Sequence, residues 1–99
     1  MVESRAIELV FGSQCPPVTT NKAQLGHTIA ASGPLSVASA LYAGKVGKLP
    51  AISTLRNAAT DCGNINLTMG APAPLKTPTI LVITAGLGGQ LSCLLMEVL

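Results

Sequence analysis

Between Lys76 and Glu97 the chain runs uncharged through "TPTILVITAGLGGQLSCLLM", residues 77–96. A stretch of that length and polarity either crosses a membrane as a helix, which takes about 20 apolar residues, or is covered inside a protein. Thr79, Thr84, Gln90 and Ser92 dilute it and "GLGG" at 86–89 divides it, so a membrane span is disfavoured. The β-branched "TILVIT" and the following "QLSCLLMEV" instead predict two antiparallel strands, 79–84 and 90–98, joined by a glycine turn. The first is apolar on both faces, as in a central strand. A central strand without its neighbours exposes unpaired backbone groups.

Charge explains little of how such a surface stays in water. Charged residues make up 10% of the 99-residue chain, against about 25% in an ordinary globular protein. The apolar share of 48% beside so few charges points to a surface covered by a partner. Six basic and four acidic side chains leave a net charge of +2 with only two aromatics, too little for binding nucleic acid. Cys15, Cys62 and Cys93 are odd in number, widely spaced, and accompanied by a single histidine. Neither a disulfide framework nor a zinc site is supported, and all three read as structural. "MVESRAIELVF" lacks the basic start and long apolar core of a secretion signal, so the expected location is the cytoplasm.

At this length the chain is one domain at most. Residues 3–11, with Ala6, Ile7, Leu9 and Val10 on one face, predict a short amphipathic helix stopped by Gly12. "CPPVTT" favours an extended segment at 16–20, which would leave Lys22 and His27 in a loop after a short strand. From Thr28 to Ala43 an Ala-rich run, apolar almost all round, predicts a buried helix. Gly33-Pro34 makes that helix either begin near Pro34 or kink there. Residues 45–64 read as an irregular connection, "INLTM" at 65–69 as a short strand, and "APAPLKTP" as a proline-rich turn.

Taken alone, Lys22 fits a solvated loop cation, and a lone histidine serves more often as a structural residue than as a catalyst. A neutral imidazole is nevertheless a competent donor or base near neutrality. At the start of a helix it would meet the positive end of the dipole, which suits hydrogen-bond donation to an oxyanion more than charge pairing.

The order of features carries more than either residue. An "ESRAI" helix, a short strand, K-x-x-x-G-H at 22–27, an A-A-x-G helix, "KLPAISTL" and a hairpin with a G-x-G-G turn resemble the C-terminal quarter of the β-ketoacyl synthases of fatty acid and polyketide synthesis. The resemblance implies an α/β fold, part of a thiolase-like layered α/β/α architecture, in which two helices cover a sheet completed by a partner chain. It implies one incomplete domain over 1–99. His27 matches the family's second active-site histidine, Lys22 the active-site lysine before it, and Gly86, Leu87, Gly88 and Gly89 the loop lining the acyl pocket.

In that family a cysteine takes an acyl group from a phosphopantetheine-bearing acyl carrier protein. Two histidines then assist decarboxylation of a malonyl-type extender, and the carbanion attacks the thioester. No cofactor or metal is implied. The nucleophilic cysteine and the first histidine, in an H-G-T-x-T segment, are expected upstream of the part matched here, and none of the three cysteines matches the nucleophile. Leu87 replaces the usual phenylalanine of the gate, and Gln90 and Leu91 replace the threonine and asparagine after it.

Three readings follow. The chain is the small subunit of a split ketosynthase, an acyltransferase only within a hetero-oligomer whose longer ketosynthase-like chain bears the cysteine and first histidine. Or it is a non-catalytic subunit comparable to the chain-length factors. Or it is an excised piece of an ordinary synthase or a stand-alone small α/β protein.

Overall fold

A computed structural model describes residues 2–99. Helix α1 spans Val2–Phe11, the one-turn α2 Lys22–Leu25 and α3 Ser32–Val46. Strand β1 (Lys48–Leu49) pairs antiparallel with β2 (Ala73–Pro74), and β3 (Thr79–Ala85) with β4 (Leu91–Glu97). The architecture is mixed α/β, a partial version of the expected fold.

The hairpin forms as its alternation and glycine turn predict, in register from Thr79↔Glu97 to Ala85↔Leu91. Helix α3 lies along it. A Cβ at Gly33 would stand 3.9 Å from Thr84 Cγ2, and one at Gly44 would stand 2.5 Å from Val98 Cγ2. The helix therefore runs from the turn end of the hairpin to its open end, and glycine at 44 permits the closest approach. Pro34 falls in the first turn of α3, where its missing N–H leaves no helical bond broken. Gly47, at φ +77°, stops the helix by donating to the Ala43 carbonyl at 2.8 Å.

Several expectations need correction. Residues 16–20 and 65–69 form no full strands; they meet in a single parallel bridge, Val18↔Leu67. Ile52 N–H donates to the Thr68 carbonyl at 2.9 Å, tying the 50s loop to that bridge. The proline-rich turn contributes β2. Among the described residues the cover of the β3–β4 hairpin comes mainly from α3 rather than from two helices: α1 is held on the loop at 63–64, where Glu8 Oε1 accepts the Asn64 N–H at 2.8 Å. On α1 only Ser4 and Ile7 are buried, and Leu9 and Val10 face solvent.

Helix α3 is not buried all round, because its sequence expects two covered faces and the chain supplies one. Ala40 and Ala43 are buried, whereas Tyr42 is 71% exposed. Leu35, Ala38, Tyr42 and Val46 line a shallow apolar hollow closed by Pro50 and Pro72. The apolar core among the described residues is thin: Ile7, Ala40, Ala43, Leu49, Ile52 and Val82. The chain exposes 7007 Å², about a third more than the ~5200 Å² that a self-contained monomer of this mass presents.

Candidate functional site

Three long-range hydrogen bonds place the segment that carries Lys22 and His27. Thr19 Oγ1 donates to the Pro50 carbonyl at 2.6 Å, Asn21 Nδ2 to Ser39 Oγ at 3.1 Å, and Gln24 Nε2 to the Ala51 carbonyl at 3.4 Å. Lys22 therefore opens the single turn of α2 rather than sitting in a loop. Its ammonium has no hydrogen-bond or ion-pair partner among the described residues.

Gly26 explains the glycine of K-x-x-x-G-H. Its N–H closes the turn on the Lys22 carbonyl at 2.9 Å, and its φ of +73° with ψ of −176° is a backbone region open essentially to glycine. The chain is thereby redirected between the lysine and the histidine.

His27 is exposed, and one bond defines its ring: the Ile29 N–H donates to Nδ1 at 2.9 Å. A nitrogen that accepts carries no proton, so the neutral ring carries its hydrogen on Nε2. Nε2 has no partner among the described residues. Ile29 achieves this at φ +55°, the one positive φ at a non-glycine position among the described residues. For a β-branched residue that conformation costs about 1–3 kcal/mol. A 3₁₀ turn at Ile29–Ala31 separates His27 from α3, so the orientation of the imidazole comes from this bond and not from the dipole of the helix.

Sequence reasoning missed the residues around the ring. Ser32 Oγ accepts the Thr28 N–H at 3.0 Å, lies 3.2 Å from Thr28 Oγ1, and approaches His27 Nδ1 at 3.5 Å. Ser32 occupies the open position of A-A-x-G, where a hydroxyl amid alanine and glycine was the available signal.

The 86–89 loop caps the hairpin. Gly86 N–H donates to the Gln90 carbonyl at 2.8 Å and Gly89 N–H to the Gly86 carbonyl at 3.2 Å. The Gln90 carboxamide oxygen lies 2.8 and 3.0 Å from where a Cβ would stand at Gly86 and Gly88, so a side chain at either position would displace the flexible end of Gln90. Leu87 stands fully exposed at the tip. The contact of Gly33 with Thr84 puts the loop and the start of α3 at the same end of the layer. No hydrogen bond joins Lys22 or His27 to the loop among the described residues.

The three cysteines are free, and none bonds to Lys22 or His27. No group of three metal-ligating side chains is present among the described residues. No helix among them is long and apolar enough to cross a membrane.

The local geometry leaves His27 Nε2 free to donate a hydrogen bond. Residues 1–56, which include Lys22 and His27, match the family model "Beta-ketoacyl synthase, C-terminal domain". The chain belongs to the β-ketoacyl synthase C-terminal domain family. Over 87 residues, 88% of its length, it is 33% identical to the "Actinorhodin polyketide putative beta-ketoacyl synthase 2" of Streptomyces coelicolor. It spans 21% of the length of that protein. No solved structure matches the chain significantly.

Proposed function

We propose that this chain forms one incomplete domain of a split β-ketoacyl synthase and contributes His27 and Lys22 to the decarboxylative condensation of acyl thioesters. The observation that carries the reading is the ring of His27, fixed through Nδ1 with an unpartnered Nε2–H inside the family-matched segment. As the extender loses carbon dioxide, negative charge develops on its thioester oxygen, and a fixed donor at that oxygen lowers the barrier. The enolate carbon then attacks the acyl group on a cysteine, and the thiolate leaves.

That cysteine and the first histidine come from a longer ketosynthase-like chain, and the acyl groups from an acyl carrier protein. The 7007 Å² of exposed surface and the uncovered face of α3 support such a partner. Lys22 adds a positive charge on the turn before His27, and the 86–89 loop lines the acyl pocket.

Replacement of His27 by alanine in the reconstituted complex tests the reading. Loss of one oxyanion donor costs about 2.7–4 kcal/mol, or roughly 10²–10³ in rate; an unchanged condensation rate contradicts it. Leu87 and Gln90, which depart from the family's gate, favour a second reading: a subunit that shapes the pocket as the chain-length factors do. It predicts that Leu87→Phe changes product length while His27→Ala leaves the rate unchanged.

A further inference from the structure

We propose that Ser32 is a positioning residue for His27: it braces the left-handed backbone of Ile29 so that the Ile29 N–H stays on Nδ1 and the ring proton stays on Nε2. The role assigned to that proton rests on the reading of His27 as an oxyanion donor. The brace itself rests on the geometry alone.

His27 is exposed, so packing does not orient its ring. The orientation depends on the Ile29 N–H, 2.9 Å from Nδ1, and that N–H is aimed by a backbone at φ +55° that isoleucine resists. A strained residue persists only where its surroundings over-determine it. Two backbone bonds close the turn, Ala31 N–H to the Thr28 carbonyl at 3.1 Å and Ser32 N–H to the Ile29 carbonyl, and the one side chain that adds to them is the Ser32 hydroxyl. Ser32 Oγ takes the Thr28 N–H at 3.0 Å and pairs with Thr28 Oγ1 at 3.2 Å, closing the turn that contains Ile29. The same oxygen comes within 3.5 Å of Nδ1, so its proton faces either the ring or Thr28 Oγ1.

Without the hydroxyl, the part-buried Thr28 N–H loses its acceptor and Ile29 keeps only the backbone bonds of its turn against the strain of the left-handed region. Ile29 then relaxes, its N–H leaves Nδ1, and the two tautomers of the ring approach each other in population.

The test is the imidazole ¹⁵N spectrum of the 99-residue chain carrying labelled histidine, read beside condensation by the reconstituted complex. In the unsubstituted chain the Nε2–H form dominates. Ser32→Ala raises the ratio of Nδ1–H to Nε2–H form about two- to tenfold, the worth of one net hydrogen bond, and lowers condensation in proportion to the Nε2–H population lost, which is less than that factor while the Nε2–H form still dominates. Ser32→Thr keeps both at their original values. Ile29→Gly added to Ser32→Ala restores the Nε2–H form, because glycine takes φ +55° without strain.

An unchanged ring spectrum in Ser32→Ala overturns the inference, as does failure of Ile29→Gly to restore it. The two readings fail separately. If His27→Ala leaves condensation unchanged while Ser32→Ala shifts the ring spectrum, the catalytic reading falls and the brace stands. If His27→Ala abolishes condensation and Ser32→Ala shifts nothing, the brace alone falls.

Discussion

Gly44→Ala should destabilise the chain, against the usual effect of that substitution in a helix. In an unencumbered helix interior, alanine is favoured over glycine by about 0.8–1.0 kcal/mol. At Gly44 the new Cβ would stand 2.5 Å from Val98 Cγ2, 2.6 Å from its Cβ and 2.9 Å from its Cγ1. Carbon atoms rest about 3.5–4.0 Å apart, so Val98 must retreat by about 1 Å. That movement strains the Val98 N–H bond to the Pro78 carbonyl, 2.9 Å long, which closes the open end of the hairpin. Overpacking of this kind costs about 1–3 kcal/mol and a lost hydrogen bond about 1 kcal/mol. Set against the gain in propensity, the net loss is about 1–3 kcal/mol.

Urea unfolding of the purified chain, followed by circular dichroism, reads the effect directly. With a slope of about 1–2 kcal/mol per molar urea, the midpoint falls by about 1 M. A second substitution at 98 locates the cause. Val98→Ala retains the Cβ and with it the 2.6 Å contact, so it relieves Gly44→Ala only in part; Val98→Gly removes the three nearest atoms and relieves it further. A midpoint for Gly44→Ala above that of the unsubstituted chain would refute the packing of α3 on the hairpin.

Glu8 makes the seat of α1 pH-dependent. The Asn64 N–H, with a smaller contribution from Arg5 3.4 Å away, holds its carboxyl below the ordinary glutamate value, partly opposed by burial. A carboxyl lowered on folding stabilises above its unfolded value and loses that stabilisation as pH falls through the folded one. The unfolding midpoint should therefore drop on acidification in this chain, and Glu8→Gln should flatten that part of the profile. Cys93 gives a surface report: it is exposed on β4, so a thiol reagent should label it readily in the isolated chain and more slowly once a partner covers the hairpin. Equal rates with and without the partner would place the interface elsewhere.

What could be read from the sequence was mostly what is local. The β3–β4 hairpin follows from alternating β-branched residues and a glycine turn, and α1 from its amphipathic spacing and Gly12. The start of α3 follows from Pro34, which a helix accepts in its first turn. The cover of α3 was not legible, because a helix apolar all round reports that it is covered without reporting by what. The strands expected at 16–20 and 65–69 reduce to one bridge, since their pairing depends on partners about fifty residues apart and not on alternation within either segment.

At the site, K-x-x-x-G-H identifies the residues and not their arrangement. The turn of α2 depends on bonds from Thr19 and Asn21 to residues 31 and 18 positions away. The ring of His27 depends on a positive φ at an isoleucine, which composition argues against.

Completion of the His27 site by another polypeptide can be seen in native mass spectrometry of the protein purified from its own cells. The expected result is a stable complex with a longer ketosynthase-like chain. A species with no such partner would contradict it, leaving His27 without a nucleophile to serve.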